Sequence, residues 1–285
     1  MRTRKNLKRR EVKKVVTVIQ ARISSTRLPR KILLPILGEP LLLKMVERVA
    51  ASKLVGTIVV ATSTNDEDHA IESLCEQNGI KVFRGSKFDL LDRHYQCALK
   101  YKADVVVKIP SDCPLIDPAT IDEVLNRFLN SNEDFDYVSN LHPATFPDGN
   151  DVEVMSFAAL ENAWVNAHAK MELEHTTPYI WENPDKFKIG NVTWEMGLDY
   201  SMSHRWTIDY LEDYQLINQV YHELYPTKKQ FTINDILKLL MDKPELQKIN
   251  KKWVGVNWYR NHLHELKTVG REQTREVGVE LGLGA

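Results

Sequence analysis

Short β-branched segments alternate with amphipathic segments over the first 140 residues, and this alternation is the strongest constraint on the fold. Strand-like runs occupy residues 15–19, 57–61, 81–83, 104–109 and 137–141. Helix-like segments occupy residues 40–51, 64–79 (opened by a capping box at 64–67), 89–102 and 118–130. Because the connections are short, the pattern predicts an α/β fold whose mostly parallel sheet has helices on both faces.

The regular alternation ends after residue 141, where residues 142–150 read as a loop. Beyond it the pattern predicts strands at 152–155, 186–194 and 206–208, and helices at 157–167, 171–182, 210–224 and 232–241. We therefore expect three parts in the chain. These are a basic, disordered head at 1–14, a main domain at 15–225 with an inserted arm at about 142–205, and a helical C-terminal extension at 226–285.

Charge is unevenly distributed although it nearly cancels overall. The formal net charge is −1, which argues against a nucleic-acid-wrapping protein, so no specific nucleic-acid binding is expected. Residues 1–14 nevertheless carry eight basic side chains and one acidic side chain. Such a run is typical of a solvated tail, and the alternative is a weak anchor to RNA or lipid headgroups.

Apolar runs and cysteines narrow the class of protein further. No apolar stretch reaches the roughly 18 residues of a membrane-spanning helix, so no membrane span is expected. The cysteines are odd in number and widely spaced, at Cys75, Cys97 and Cys113. This spacing argues against a disulfide framework and a zinc site, and it favours reduced thiols in a cytoplasmic protein.

The segment that directly follows the first predicted strand is rich in cations and hydroxyls. Within ten residues it contains Arg22, Ser24, Ser25, Thr26, Arg27, Arg30 and Lys31. Guanidinium, ammonium and hydroxyl groups at the carboxyl end of a strand are suited to binding phosphate oxygens. The glycines of a Walker loop or a dinucleotide fingerprint are missing from it. The segment predicts a phosphate-binding loop, and a solvated basic loop is the alternative.

Two aspartates follow predicted strands and are candidate metal ligands. Asp112 comes after the strand at 104–109, and Asp209 comes after the short run at 206–208. Mg²⁺ is commonly held by one or two carboxylates, with phosphate oxygens and water completing its octahedron. If the two strands lie close in the sheet, the two carboxylates can share one Mg²⁺. The alternatives are a turn former at Asp112 and a helix cap at Asp209.

Seven further motifs accompany the cationic motif Gln20-Ala21-Arg22-x-Ser24-Ser25-Thr26-Arg27-Leu28-Pro29-x-Lys31. In chain order they are Gly38-x-Pro40-Leu41, Ala61-Thr62-Ser63, Asp89-Leu90-Leu91-Asp92-Arg93, Ser111-Asp112-x-Pro114-Leu115, Asp148-Gly149-x-Asp151-Val152-Glu153-Val154, Glu174-His175-x-Thr177-Pro178-Tyr179 and Thr207-x-Asp209-Tyr210-x-Glu212-Asp213. This series, over roughly residues 15–215, resembles the CMP-sugar synthetase-like cytidylyltransferases, which include the 3-deoxy-manno-octulosonate and acylneuraminate cytidylyltransferases. The chain is most similar to their spore-coat polysaccharide branch.

The resemblance implies a Rossmann-like, GT-A-like nucleotidyltransferase fold with three layers. It also implies a Mg²⁺-dependent transfer of CMP from CTP, with release of pyrophosphate. The acceptor would be a sugar acid or a related small hydroxyl- or carboxyl-bearing precursor of a cell-surface polysaccharide. Because relatives are commonly dimers, the resemblance further implies a homodimer, with the arm at about 142–200 as the interface.

Motif positions extend the resemblance to individual residues. The catalytic residues would be Arg22, Lys31, Asp112 and Asp209, and the two aspartates would also hold the metal. The nucleotide would be bound by Gln20, Ala21, Arg22, Ser24, Ser25, Arg27, Lys31, Asp92, Arg93 and Ser111. The acceptor side would be lined by Asp151, Glu153, His175 and Arg205.

Two other functions are alternatives at this point. A glycosyltransferase of the same broad fold would need a D-x-D motif after the fourth or fifth strand and no triphosphate clamp. The sequence Asp134-Phe135-Asp136 precedes the fifth predicted strand and reads as a solvated turn, and the cationic segment also disfavours this function. A non-catalytic nucleotide-binding protein would bind CTP without turnover, and the intact charged positions argue against it.

Overall fold

One seven-stranded sheet organises the chain, and the alternating N-terminal part supplies most of it. The computed structural model describes residues 13–194 and 197–276. The strands of the sheet lie in the order β5-β4-β1-β6-β8-β7-β9. They are β1 (Val15–Gln20), β4 (Thr57–Ser63), β5 (Lys81–Gly85), β6 (Val105–Pro110), β7 (Tyr137–Ser139), β8 (Glu153–Ser156) and β9 (Ile189–Asn191).

Most neighbouring strands of this sheet run in parallel, as the alternation predicts. The strand β1 pairs in parallel with β4 and β6, β4 pairs with β5, and β7 pairs with β9. The exception is β8, which is antiparallel to β6 and β7. At the carboxyl edge Gln20 pairs with Pro110, so the loops that follow β1 and β6 start side by side. Ligands of such sheets bind at this edge.

Helices cover both faces of the sheet. They are α1 (Leu41–Ala50), α2 (His69–Gln77), α3 (Leu90–Lys100), α4 (Pro118–Asn130), α5 (Phe157–Asn166), α6 (Lys170–His175), α7 (Pro178–Trp181), α8 (Leu211–Leu224), α9 (Ile233–Asp242) and α10 (Pro244–Lys248). Side chains alternate along β1, so that Val15 and Ile19 join one apolar cluster whereas Val16 and Val18 join the other. The predicted three-layer α/β fold is therefore confirmed.

Two predicted elements in the second half are wrong in detail. The helix predicted at 171–182 is two short helices, because Thr176 has a φ of 76° and Pro178 starts the second one. The strand predicted at 206–208 does not form. Instead, the Ile208 N–H (2.9 Å) and the Thr207 hydroxyl (3.0 Å) donate to the Asp112 carbonyl oxygen, which holds this segment beside the loop after β6.

The capping box predicted at 64–67 also does not start its helix, which begins later, at His69. The nearby Asp68 carboxylate instead accepts hydrogen bonds from the Ser63 side chain and from the Ile23 N–H. A small hairpin of β2 (Pro35–Ile36) and β3 (Glu39–Pro40) was not predicted.

The segments predicted as an inserted arm and as a C-terminal extension both pack on the main domain. The segment 142–205 contributes β8 and β9 to the central sheet. The extension is helical through α10 and continues in three short 3-10 turns, at Lys251–Trp253, Trp258–Asn261 and Arg271–Gln273. Most of the predicted basic head, residues 1–12, lies outside the described residues, whereas the Lys14 N–H donates to Asp104 Oδ2 at 2.7 Å. Every helix within the described ranges is too short or too polar to cross a membrane.

Candidate active site

A large cavity opens at the carboxyl ends of β1 and β6. Its volume is about 870 Å³, and its walls come from the loops after both strands, from the segments around residues 140–153 and 174–181, and from the extension at 256–262. Most of the predicted site residues line it. They are Gln20, Ala21, Arg22, Ser24, Ser25, Arg27, Lys31, Arg93, Ser111, Asp112, Asp151, Glu153, His175, Arg205 and Asp209.

The ammonium group of Lys31 lies at the centre of the charged half of this cavity. Lys31 Nζ donates to the Ile208 carbonyl oxygen at 2.7 Å, to Asp209 Oδ1 at 2.9 Å and to Asp112 Oδ2 at 3.3 Å. Burial alone would lower the pKa of Lys31, but the two carboxylates outweigh it and raise that pKa. The sequence predicted that Asp112 and Asp209 would meet, and the structure brings both to one cation.

The backbone of the cationic loop explains how Lys31 reaches this position. Ile23 is buried, and its N–H donates to Asp68 Oδ1 at 2.8 Å. The Arg30 N–H returns to the Ile23 carbonyl oxygen at 3.3 Å, which closes the loop. Arg30 has a φ of 57°, and this left-handed residue turns the chain into the 3-10 turn Lys31–Leu33. Lys31 therefore points into the cavity, whereas Arg30 is not among the residues lining it.

The remaining cations of the loop differ in their partners. Arg27 Nη2 donates to Asp209 Oδ1 at 2.8 Å. Arg22 is exposed at the cavity wall, and its guanidinium has no hydrogen bond or ion pair within the described ranges. Gln20 Oε1 is buried without a hydrogen-bond partner among those same residues. Free donors and acceptors at one end of a charged cavity are suited to a polar, anionic ligand.

The Arg205 side chain is already saturated by the protein. Its five N–H groups donate to Asp148, Asp209, both oxygens of Asp213 and the Val256 carbonyl oxygen. The side chain is 1% exposed. This leaves no guanidinium hydrogen for an acceptor, so the geometry disfavours the predicted acceptor contact. Arg205 instead fixes the position of the Asp209 carboxylate.

A buried ion pair lies on the predicted acceptor side of the cavity. Glu153 and Lys108, which face each other on β8 and β6, form an ion pair, and the Tyr137 hydroxyl donates to Glu153 Oε2 at 2.7 Å. Burial acts to raise the pKa of Glu153, but the Lys108 charge and hydrogen bond lower it overall. Glu153 is therefore held as a carboxylate.

Asp151 and His175, near this pair, have strongly shifted pKa values. Burial, together with the charges of Asp112 and Glu153, raises the pKa of Asp151 to about 7. Burial lowers the pKa of His175 to about 3, so its imidazole is neutral near pH 7. The two side chains thus offer a carboxyl group that titrates near neutrality and an uncharged ring.

Asp92 is the one predicted site residue that the structure keeps away from the cavity wall. Its Oδ1 accepts from Trp164 Nε1 at 3.0 Å and from Gln96 Nε2 at 3.1 Å, on another face of α3. Its neighbour Arg93 does reach the cavity, but its guanidinium donates to the Ser86 (2.8 Å) and Lys87 (3.2 Å) carbonyl oxygens. Burial lowers the pKa of Arg93 to about 10. Adjacent helical residues point in different directions, which separates these two.

Several cavity residues were not predicted from the sequence. Lys108 is the one charged residue in the apolar strand β6. A lysine in such a strand was the only sequence feature that could have indicated its place in the cavity. His142 and Trp181 lie in segments with weak patterns, and Trp258 and Tyr259 lie in the extension far along the chain. Their role in the cavity depends on chain folding over a long sequence distance.

The family of the chain follows from a match over most of its length. A family model described as cytidylyltransferase matches residues 16–244. The chain belongs to the cytidylyltransferase family. This cytidylyltransferase is accordingly a CTP-dependent nucleotidyltransferase, and the predicted resemblance is confirmed.

Two relatives are similar over nearly their whole length. The cytidylyltransferase is 39% identical over 242 residues to an uncharacterised protein of Methanocaldococcus jannaschii, MJ1063, covering 83% of this chain and 94% of that protein. It is 29% identical over 236 residues to the spore coat polysaccharide biosynthesis protein SpsF of Bacillus subtilis, covering 81% and 95%.

Two solved structures share the fold. A cytidylyltransferase from Leptospira borgpetersenii superimposes with a TM-score of 0.77 at 34% identity, covering 82% of this chain and 96% of that chain. A CMP-2-keto-3-deoxy-manno-octonic acid synthetase in complex with CTP gives a TM-score of 0.57 at 17% identity, covering 74% and 99%. The cytidylyltransferase therefore has the nucleotidyltransferase fold that the sequence predicted.

Proposed function

We propose that this enzyme transfers CMP from CTP to a sugar acid or a related precursor of a cell-surface polysaccharide, and that the reaction releases pyrophosphate and needs Mg²⁺. The observation that carries the proposal is the meeting of Lys31, Asp112 and Asp209 within a large, partly cationic cavity. Membership of the cytidylyltransferase family supports CTP as the nucleotide. The similarity to a spore coat polysaccharide protein supports the acceptor class.

The cationic loop would bind the triphosphate. The Arg22 guanidinium has no partner in the part of the chain that the structure describes, and Arg27 and Lys31 both pair with Asp209 in the same cavity. The hydroxyls of Ser24, Ser25 and Ser111 lie beside them along the wall. Arginine forks and hydroxyl donors match phosphate oxygens, and they would neutralise the charge that develops on the departing pyrophosphate. Gln20, Ala21 and Arg93 line the same cavity and would contact the rest of the nucleotide.

Asp112 and Asp209 fit a Mg²⁺ site, since two carboxylates already converge on one cationic centre. No cluster of three or more potential ligands occurs among the residues that the structure describes. Such a pair matches the preference of Mg²⁺ for few protein carboxylates alongside phosphate oxygens and water. When bound, Mg²⁺ would supply positive charge at the phosphates. Arg205 would act as a positioning residue, because it fixes Asp209 and has no donor left for the acceptor.

The acceptor hydroxyl would attack the α-phosphorus from the side of Asp151 and His175. The new bond joins the hydroxyl oxygen to the α-phosphorus, and the bond from that phosphorus to the bridging oxygen of the β-phosphate breaks. Asp151, whose pKa is raised to about 7, is suited to accept the hydroxyl proton. Glu153 would contribute to the shape of this side through its ion pair with Lys108. Catalysis then rests on positioning and charge neutralisation.

A pyrophosphate-release screen tests the proposal. Four nucleoside triphosphates are combined with a panel of sugar acids and small hydroxy compounds, with and without Mg²⁺. We expect release from CTP with at least one sugar acid, and only with Mg²⁺ present. Binding of CTP without turnover, or turnover of a nucleotide-sugar instead, would contradict it. The expected homodimer and cytoplasmic location stay predictions.

A further inference from the structure

The C-terminal segment, residues 249–276, forms one wall of the cavity although it lies beyond the residues that the family model matches. The match ends at residue 244. The residues of the segment that line the cavity are Val256, Asn257, Trp258, Tyr259, Arg260, Asn261, His262, Glu272 and Gln273. This wall therefore lies outside the part of the chain that the family model matches.

The C-terminal segment is firmly attached beside the cavity. The Glu182 carboxylate, next to α7, accepts from the N–H groups of Lys267 at 2.6 Å and Thr268 at 3.0 Å. At the other end Arg205 Nη1 donates to the Val256 carbonyl oxygen at 2.6 Å. Tyr259, Leu266 and Val269 are buried in the apolar cluster that also contains α5 and α7 residues. Hydrogen bonds and apolar burial at several points fix the segment as a wall.

Four rings form an aromatic wall at this end of the cavity. The Trp258 ring stacks on His175, with 3.8 Å between centroids and 13° between planes. His142 stacks on Trp181 with 4.1 Å between centroids, and the Trp181 and Trp258 centroids are 6.5 Å apart. All four rings line the cavity. The aromatic wall thus joins the main domain to the C-terminal segment through Trp258.

The aromatic wall differs chemically from the phosphate-binding part of the cavity. Burial lowers the pKa of His175 to about 3 and that of His142 to about 4, so both rings are uncharged near pH 7. The same cavity is also lined by the charged side chains of Lys31, Asp112 and Asp209. A ligand that contacts both groups of side chains must combine an anionic part with a part that has an apolar face. Flat aromatic side chains suit the latter, because they bury a large apolar surface.

We propose that the C-terminal segment completes the acceptor subsite and that Trp258 determines acceptor specificity by contacting the apolar face of a sugar-type ring. The inference rests on the proposed function, since it names the part of the cavity that the acceptor occupies. Trp258 also covers His175, which the family motif places on the acceptor side. Loss of the indole should therefore weaken acceptor binding and leave nucleotide binding intact.

Saturation-transfer NMR on the full chain tests this without needing turnover. The probes are N-acetylneuraminate, 3-deoxy-manno-octulosonate and glucose, with glycerol as a probe that has no ring, in the presence of Mg²⁺ and a non-reactive CTP analogue. We expect ring protons of at least one sugar probe to receive saturation. Its affinity should fall at least tenfold in Trp258→Ala and stay within threefold of wild type in Trp258→Phe.

The matched control is Trp164→Ala, because Trp164 stacks on Tyr95 away from the cavity. That variant should bind the probe as wild type does, and CTP affinity measured by calorimetry should stay within twofold in all variants. If Trp258→Ala fails to bind CTP, Trp258→Leu replaces it. Undiminished probe affinity in Trp258→Ala, or in Trp258→Leu where that variant replaces it, overturns the inference.

The two proposals can fail separately. If no ring probe receives NMR saturation from the wild-type protein, the acceptor subsite is overturned, even if pyrophosphate is released with an acceptor that has no ring. Binding of a ring probe that depends on Trp258, without pyrophosphate release from CTP, supports the subsite and contradicts the proposed function.

Discussion

The carboxylates of Asp112 and Asp209 meet at one ammonium group, Lys31 Nζ, at 3.3 Å and 2.9 Å. The two aspartates come from distant parts of the chain, and hydrogen bonds from residues 207 and 208 to the Asp112 carbonyl oxygen hold them together. This relationship puts a cation and two anions where the proposed phosphoryl transfer takes place.

Replacing Lys31 should affect turnover more than nucleotide binding. In Lys31→Ala we expect kcat to fall about 100-fold or more, because a preorganised donor at developing charge contributes on that scale. The KM for CTP should change much less. The control is Arg30→Ala, which removes the neighbouring cation that is not among the cavity-lining residues. A Lys31→Ala rate within about threefold of wild type would contradict the role of Lys31.

Asp112 should determine the metal dependence of the enzyme. In Asp112→Asn we expect activity to fall roughly 100-fold and the residual rate to become insensitive to Mg²⁺ concentration, since a carboxylate ligand is lost. Steady-state rates over a Mg²⁺ titration measure this. Asp92→Asn is the matched control, because Asp92 faces Trp164 and Gln96 and should give nearly wild-type rates. Full activity in Asp112→Asn would remove Asp112 from the site.

Asp151 should make the stability of the protein depend on pH. The pKa of Asp151 is about 7 in the folded chain and 3.8 for an aspartate in its ordinary, unfolded environment. Between these two pH values the carboxyl group is protonated mainly in the folded state. The free energy of unfolding therefore falls as pH rises through this window. Asp151→Asn removes that loss, so urea unfolding should show the variant gaining stability relative to wild type from pH 5 to pH 8.

The matched control for this pH dependence is Asp66→Asn, since Asp66 is exposed on the surface. Its stability relative to wild type should be the same at pH 5 and pH 8. If the free energy of unfolding of Asp151→Asn differs from that of wild type by the same amount at pH 5 and pH 8, the raised pKa of Asp151 is contradicted.

Arg48 should matter for stability and not for the reaction. It is 2% exposed and donates to the carbonyl oxygens of Ile116 and Phe231, both at 2.8 Å. Arg48→Met leaves both acceptors buried without partners, so we expect the free energy of unfolding to drop by about 2–4 kcal/mol. CTP affinity should not change, since Arg48 does not line the cavity. The exposed Arg127→Met serves as control, and equal stability of the two variants would refute the assignment.

Glu182 should hold the C-terminal segment in place. Glu182→Ala removes the acceptor of the Lys267 and Thr268 N–H groups, so amide hydrogen exchange across residues 256–276 should become at least tenfold faster. The strands of the sheet should keep their exchange rates. Glu76→Ala, at an exposed position on α2, should leave the segment unchanged. Unaltered exchange in Glu182→Ala would contradict the role of the Glu182 carboxylate in holding the segment.

The sheet and the cationic loop could be predicted from the sequence alone. Short β-branched runs separated by amphipathic segments allow few arrangements other than a mostly parallel sheet, and the loop after β1 must then lie at its carboxyl edge. Chemistry that is concentrated in one contiguous segment, such as Arg22 to Lys31, can be read without knowing the fold. The approach of Asp112 to Asp209 was also foreseen, although through a strand at 206–208 that does not form.

Side-chain directions and contacts between distant segments follow only from the folded chain. Asp92 and Arg93 are neighbours in the sequence, yet helix geometry brings only Arg93 to the cavity. The sequence placed Arg205 on the acceptor side, but all its guanidinium hydrogens are donated within the protein. The acceptors are Asp148, Asp209, Asp213 and the Val256 carbonyl oxygen. Trp258 reaches His175 only because the C-terminal segment folds back over the sheet edge. No local sequence pattern shows whether a side chain has used all its hydrogen-bond donors or whether a distant segment packs beside the site. Both depend on contacts between residues far apart in the chain.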